Sequence, residues 1–148
     1  MAAVTQYEHD WRFQKLLGAA PGRVIPIVLG IAKAGYVISG GADTSIQPFS
    51  GDQGSSQGFP LPLACRARRL MIQVWGNSLS GDSSLRLMRN EADTGLQVTI
   101  PSGGTGLFTA EGSVDFAQGD RLMFHLVTGG SDTESIDIPA ISVLLEPI

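Results

Sequence analysis

Across residues 66–148, apolar side chains recur at every second position in short runs separated by Gly, Asn, Asp and Ser. Successive side chains of a strand point to opposite sides, so a period of two marks a strand with one face in a core. Leu70, Ile72 and Val74 alternate with Met71, Gln73 and Trp75, which leaves Trp75 on the other face. Leu85 and Leu87 repeat the pattern, as do Leu96, Val98 and Ile100, then Leu122, Phe124 and Leu126. The last run begins at Ile136, changes phase near Pro139 and continues through Ile141, Val143 and Leu145, which reads as a β-bulge. Sequential runs of this kind, with no helical period between them, predict an all-β fold, an antiparallel jelly-roll-like β-sandwich.

The first forty residues read differently. Thr5-Gln6-Tyr7-Glu8 matches a capping box and Gly18 suits the C′ position, which predicts a short N-terminal helix over residues 6–17. Tyr7 and Trp11 fall on one stripe of it, broadened by Phe13, Leu16 and Leu17. A helix so short is marginal alone, so it docks either on its own sandwich or on another chain. Residues 23–29 and 31–39, rich in Val and Ile, read as an N-terminal strand pair turning at Gly30. Gly, Ser, Asp and Gln then dominate to residue 59, a long loop for a compact domain. The expected organisation is an N-terminal anchoring region over 1–40, a Gly/Ser-rich loop or linker over 41–60, and the jelly-roll sandwich over 61–148.

Composition narrows the chemistry. A chain of 148 residues suits one core, and the single cysteine, Cys65, excludes an internal disulfide or a multi-cysteine zinc site. The start shows no charged region followed by an apolar one, so synthesis in the cytoplasm without a signal peptide is expected. Residues 24–32 form the longest apolar run, far short of the ~20 a membrane helix requires, which predicts a soluble protein with no membrane partner. A net charge of −4 argues against nucleic acid as a partner. The charge is uneven: residues 1–89 hold nine basic and five acidic groups, residues 90–148 one basic and nine acidic. Such asymmetry either orients the molecule on a partner or reflects acidic, solvated loops.

No catalytic constellation is legible. His9 and His125 lie far apart in sequence, and His125 alternates outward between Phe124 and Leu126. Gly76-Asn77-Ser78-Leu79-Ser80 lacks the last glycine of a nucleophile elbow, and Gly104-Thr105-Gly106-Leu107-Phe108-Thr109 reads as a turn, without the third glycine of a dinucleotide loop. Asp132, Glu134 and Asp137 surround a glycine-rich turn and read as a charged loop in preference to a calcium site. No cofactor, no metal and no turnover are expected. Arg66, Arg68 and Arg69 form the one dense basic run; on a regular strand Arg66 and Arg68 share a face and Arg69 takes the other. Arg66 and Arg68 are candidate partner-binding residues, for a salt-bridged contact with the acidic half of a neighbouring subunit.

The segment Leu85-Arg86-Leu87-Met88-Arg89-Asn90-Glu91, the strand through Ile100-Pro101, and the later Ala117-Gln118-Gly119-Asp120 turn resemble jelly-roll modules of tailed-phage virion proteins over roughly residues 66–147. Those modules use an Arg-x-Asn-Gly hairpin, and Glu91 stands here where glycine is usual. The resemblance implies a non-enzymatic structural virion protein, a capsid decoration, head spike or fibre component. Its partners would be the major capsid protein or other virion proteins, and it would form a homotrimer. Tyr7, Trp11, Arg12 and Phe13 are the candidate anchoring residues, aromatics beside an arginine being strong interface anchors. The alternative is a glycan- or receptor-binding tip of a fibre, with Trp75 as an aromatic platform.

Overall fold

The computed structural model describes residues 27–32, 37–48 and 58–148, the first of these as backbone only. The expected N-terminal helix, with Tyr7, Trp11, Arg12 and Phe13, lies outside the described residues, as does much of the expected linker. Among the described residues the architecture is an all-β antiparallel sandwich without a helix.

Its strands are β1 (Ile27–Ala32), β2 (Val37–Ser39), β3 (Asp43–Ile46), β4 (Phe59–Pro60), β5 (Cys65–Val74) and β6 (Gly76–Asn77), followed by β7 (Ser83–Arg89), β8 (Ala92–Ile100), β9 (Gly106–Phe116), β10 (Arg121–Val127), β11 (Ser135–Asp137) and β12 (Ala140–Pro147). One layer is a four-stranded sheet in the order β1-β12-β5-β9. The other is a five-stranded sheet ordered β3-β10-β7-β8, with β4 also pairing β10. A small sheet, β2-β11-β6, completes the fold. Between the two layers, Leu70, Ile72, Val74, Ile141, Val143 and Leu145 of the first meet Leu85, Leu87, Val98, Ile100, Leu122, Phe124 and Leu126 of the second in one buried cluster. These are the rows that alternation in the sequence assigns to the inner face. Each such side chain contributes about 1.5–3 kcal/mol through removal from water. The buried hydroxyls are bonded: Thr128 Oγ1 donates to Ser39 O at 2.7 Å and accepts from Ala42 N, and Ser83 Oγ accepts from Gly129 N.

Three expectations change. The stretches read as an N-terminal strand pair do not pair with each other: β1 pairs β12, from Ile27 opposite Leu145 to Ala32 opposite Ala140, and β2 pairs β11. Gly30 is therefore a strand residue facing Ser142, not a turn. In consequence, residues expected to anchor or link contribute strands to the sandwich itself, β3 on β10 and β4 on β10 included. Finally, the phase change near Pro139 is a crossing between sheets, because β11 belongs to the small sheet and β12 to the four-stranded one; the irregularity within β12 falls at Leu144/Leu145.

The hairpin between β7 and β8 turns at Asn90 (φ 51°) and Glu91 (φ 70°), both left-handed, the geometry of a type I′ turn. Asn tolerates that region and Glu does not, so Glu91 carries strain of about 1–2 kcal/mol. Asn90 is also a clip. Its N–H donates to Arg121 O, its Oδ1 accepts from Arg121 N, and its Nδ2 donates to Asp120 Oδ1 at 2.7 Å. Asp120 in turn accepts from Ala117 N and closes the Ala117–Asp120 turn, where Gly119 has φ 86°. The two turns that carry the sequence resemblance are thus bonded to one another. Glu91→Gly relieves the strain, loses only an exposed contact with Arg121, and adds chain entropy to the unfolded state. The expected outcome is a gain of about 0.5–1 kcal/mol, a rise in Tm of roughly 1–4 °C by calorimetry.

Candidate functional site

The outer face of the four-stranded sheet follows from register. Reading across β9, β5 and β12, Leu107 lies opposite Gln73 and Gln73 opposite Ala140; next come Thr109, Met71 and Ser142, then Glu111, Arg69 and Leu144, and last Asp115, Arg66 and Glu146. One half of the face is charged and the other is neutral. At the neutral end the chain leaves β5 through Trp75, whose N–H donates to Asp137 O at 2.9 Å as the strand passes into the small sheet. Trp75 lies at the bend between β5 and β6 and is 63% exposed, while Leu107, near the start of β9, is 58% exposed. An indole left in water does nothing for the core. It offers an apolar plane with a hydrogen-bonding group at its side, the usual composition of a small-ligand contact. Toward the middle of the face, Arg69, Met71, Ser142 and Leu144 line a groove of about 150 Å³.

The charged half is internally matched. Arg66 Nε donates to Asp115 Oδ1 at 2.5 Å and its Nη2 to Asp115 Oδ2 at 2.8 Å, a two-point pair; Arg68 donates to Glu146 and Arg69 to Glu111. Alternation from the buried Leu70 puts Arg69 outward with Met71 and Gln73, and an irregularity in the ladder between Ala67 and Arg69 shifts the phase of β5 so that Arg66, which regular alternation would turn inward, joins Arg69 on the outer face. The arginine run therefore meets the acidic half of its own chain. With Arg86 near Asp93 on the opposite sheet, four arginines of the first 89 residues pair with carboxylates of the last 59, which accounts for much of the charge asymmetry. Exposed pairs of this kind are worth about 0–1 kcal/mol each. Their role here is to leave the face electrically neutral.

Elsewhere, His125 Nε2 contacts Asp43 Oδ1 on the outer side of the five-stranded sheet, opposite Ser45 and Arg86. Cys65 is buried, and burial pushes its thiol up, so it packs as an apolar group. Glu134 Oε2 accepts from Ser80 N, Ser80 Oγ and Ser131 N, each at 3.0 Å, and thereby fastens the 129–134 loop to the 78–81 loop. Its carboxylate is used in folding, and among the described residues no three His, Cys, Asp or Glu side chains converge on a metal position. Nor, among those residues, is any helix long and apolar enough to cross a membrane. Of the residues singled out from sequence, Trp75, Arg66 and Arg68 are brought to one sheet. Leu107, Thr109 and Ser142 were missed, the first two because the start of β9 reads as a turn.

No protein-family model matches the chain, and no curated protein matches it. Among solved structures it is similar to the CBM36-1 domain of a multidomain xylanase from the hindgut metagenome of Trinervitermes trinervoides, with a TM-score of 0.42 and 11% identity over 80% of this chain and 96% of that one. It is also similar to CBM35 from Cellvibrio japonicus Abf62, with a TM-score of 0.41 and 21% identity over 80% and 92% of the two chains. A family 35 carbohydrate binding module from Clostridium thermocellum gives a TM-score of 0.40 and 12% identity over 80% and 97%. The architecture described above rests on strand pairing and burial, independently of these scores.

Three carboxylates tie acid stability to the fold. Asp115 is held below its ordinary 3.8 first by its hydrogen bond with Arg66, Asp120 below 3.8 by Asn90 and the Ala117 amide, and Glu134 below 4.5 by the Ser80 and Ser131 amides. Groups with depressed pKa values add stability that is present above the unfolded values and lost as pH falls through the folded ones. Tm is accordingly flat near neutrality and declines as pH falls below 4.5, the ordinary value for Glu134, and more steeply below 3.8, that for Asp115 and Asp120. Asp120→Asn is less stable than the native protein at neutral pH, and thermal melts show that gap narrowing as the acid limb is descended; a gap independent of pH contradicts the assignment.

Proposed function

We propose that this domain is a binding module that holds a glycan against Trp75 without transforming it. The observation that carries the reading is the exposed indole where the chain leaves the neutral end of a rigid sheet, two residues past Gln73, which pairs with Leu107. A sugar ring has one face of C–H groups and a rim of hydroxyls. The C–H face packs on the indole plane and on Leu107, and the rim takes hydrogen bonds from the Gln73 amide, which both donates and accepts. β-Sandwiches present such sites on sheets and loops alike, so the argument rests on these side chains and not on the architecture.

The test is glycan-array screening of the isolated protein followed by calorimetric titration of Trp75→Ala. The expected result is saturable binding to a carbohydrate, weakened at least tenfold by the substitution, about 1.4 kcal/mol, with Tm unchanged because the side chain is outside the core. Binding that survives Trp75→Ala refutes the placement.

The virion setting is a second proposal, which rests on the sequence resemblance alone. A glycan-binding tip and a virion component are compatible roles for one domain. Native mass spectrometry separates the settings: a homotrimer supports the virion reading, and a strict monomer counts against it.

A further inference from the structure

The groove at the middle of the same face indicates what kind of glycan this is, an inference that rests on the reading of Trp75 above. Met71 is four residues before Trp75, which follows the end of β5 at Val74, and a strand rises about 3.3 Å per residue, which puts the groove about 13 Å along the chain from Trp75. A single sugar ring does not span that separation. The floor between the two points is neutral: Gln73, Thr109 and Ser142 supply amide and hydroxyl groups, interleaved with Leu107, Met71 and Leu144. Arg69, which lines the groove, sits against Glu111, and beyond it Arg66 sits on Asp115, so an anionic ligand would have to break an existing pair to be held by charge.

We infer that Trp75 and the Arg69-Met71-Ser142-Leu144 groove are two contact points for one extended, uncharged oligosaccharide lying along β5. Apolar C–H faces and hydroxyl rims alternate along such a chain, and the strip alternates apolar and neutral polar side chains along the same direction. Contacts added along a rigid strip raise affinity with ligand length until the strip is covered, because the later rings bind as part of a molecule already held.

The experiment titrates the full chain with gluco- and manno-oligosaccharides from monosaccharide to hexasaccharide, and with oligogalacturonides as the anionic arm, at low and high salt. Ser142→Ile fills the groove with an aliphatic side chain and Met71→Ala removes its floor; thermal melts of both establish that the sandwich is intact. The expected result is a neutral series whose affinity rises at least tenfold with length, is insensitive to salt, and falls back toward the monosaccharide value in both variants. Affinity independent of length, or unaffected by both variants, overturns the groove while leaving Trp75 as a site for a single ring. Salt-sensitive preference for oligogalacturonides overturns the uncharged assignment. Absence of binding to every carbohydrate removes the parent reading and this one together.

Discussion

The parity of side chains along each strand governs this molecule. Leu70, Ile72 and Val74 are committed to the interior together with Val143, Leu85 and Phe124, so Met71 and Gln73 have nowhere to go but outward, and Trp75 follows them, exposed, at the bend after β5. A slip of one residue would bury an indole, an amide and charged groups and expose the aliphatic row, a cost far above the net stability of a domain this size. The register that forms the core is thus the same register that lines up Leu107, Gln73 and Ala140, and below them Thr109, Met71 and Ser142. The core and the surface are not separate designs.

Polar groups then fix what parity leaves loose. Asn90 and Asp120 bind two turns together, Glu134 gathers three donors from two loops, and Thr128 holds the turn at Ala42. Close approach enforces glycine at some of these joints: a Cβ at Gly40 would lie 2.1 Å from Ser131 O, and one at Gly129 would lie 2.5 Å from Asp82 O, backbone atoms that cannot step aside. The ion pairs between β5 and its neighbours have a different consequence. They cancel charge within the sheet, so that a chain with strongly uneven charge along its sequence presents a matched face in space.

Alternation made the sandwich and most of its buried rows legible in the sequence, and it placed Trp75 outward. It failed where the signal was carried by something other than aliphatic residues. The inner row of β9 is Phe108, Ala110, Gly112, Val114 and Phe116, and its small members match a tight approach: a Cβ at Gly112 would fall 2.8 Å from Leu96 Cδ1. Glycine and alanine in a strand look like turn chemistry from sequence alone, so an eleven-residue strand was missed along with its outward Leu107 and Thr109. The pairing of β1 with β12 and of β2 with β11 was equally hidden, since adjacent apolar runs suggest a hairpin and nothing local reports a partner a hundred residues away. Arg66 and Arg69 were assigned to opposite faces because the irregularity beside Ala67, which turns Arg66 outward, has no sequence signature.

A rigid sheet with a neutral outer strip, an exposed indole at one end and a groove further along is suited to recognition by contact and not by charge. The most direct test of that account is amide chemical-shift mapping of the protein titrated with its best-binding oligosaccharide. The account predicts perturbations concentrated on Met71, Gln73, Trp75, Leu107, Thr109 and Ser142. Perturbations confined to the loops at 78–82 and 129–134, with the outer face of β5 silent, would contradict it.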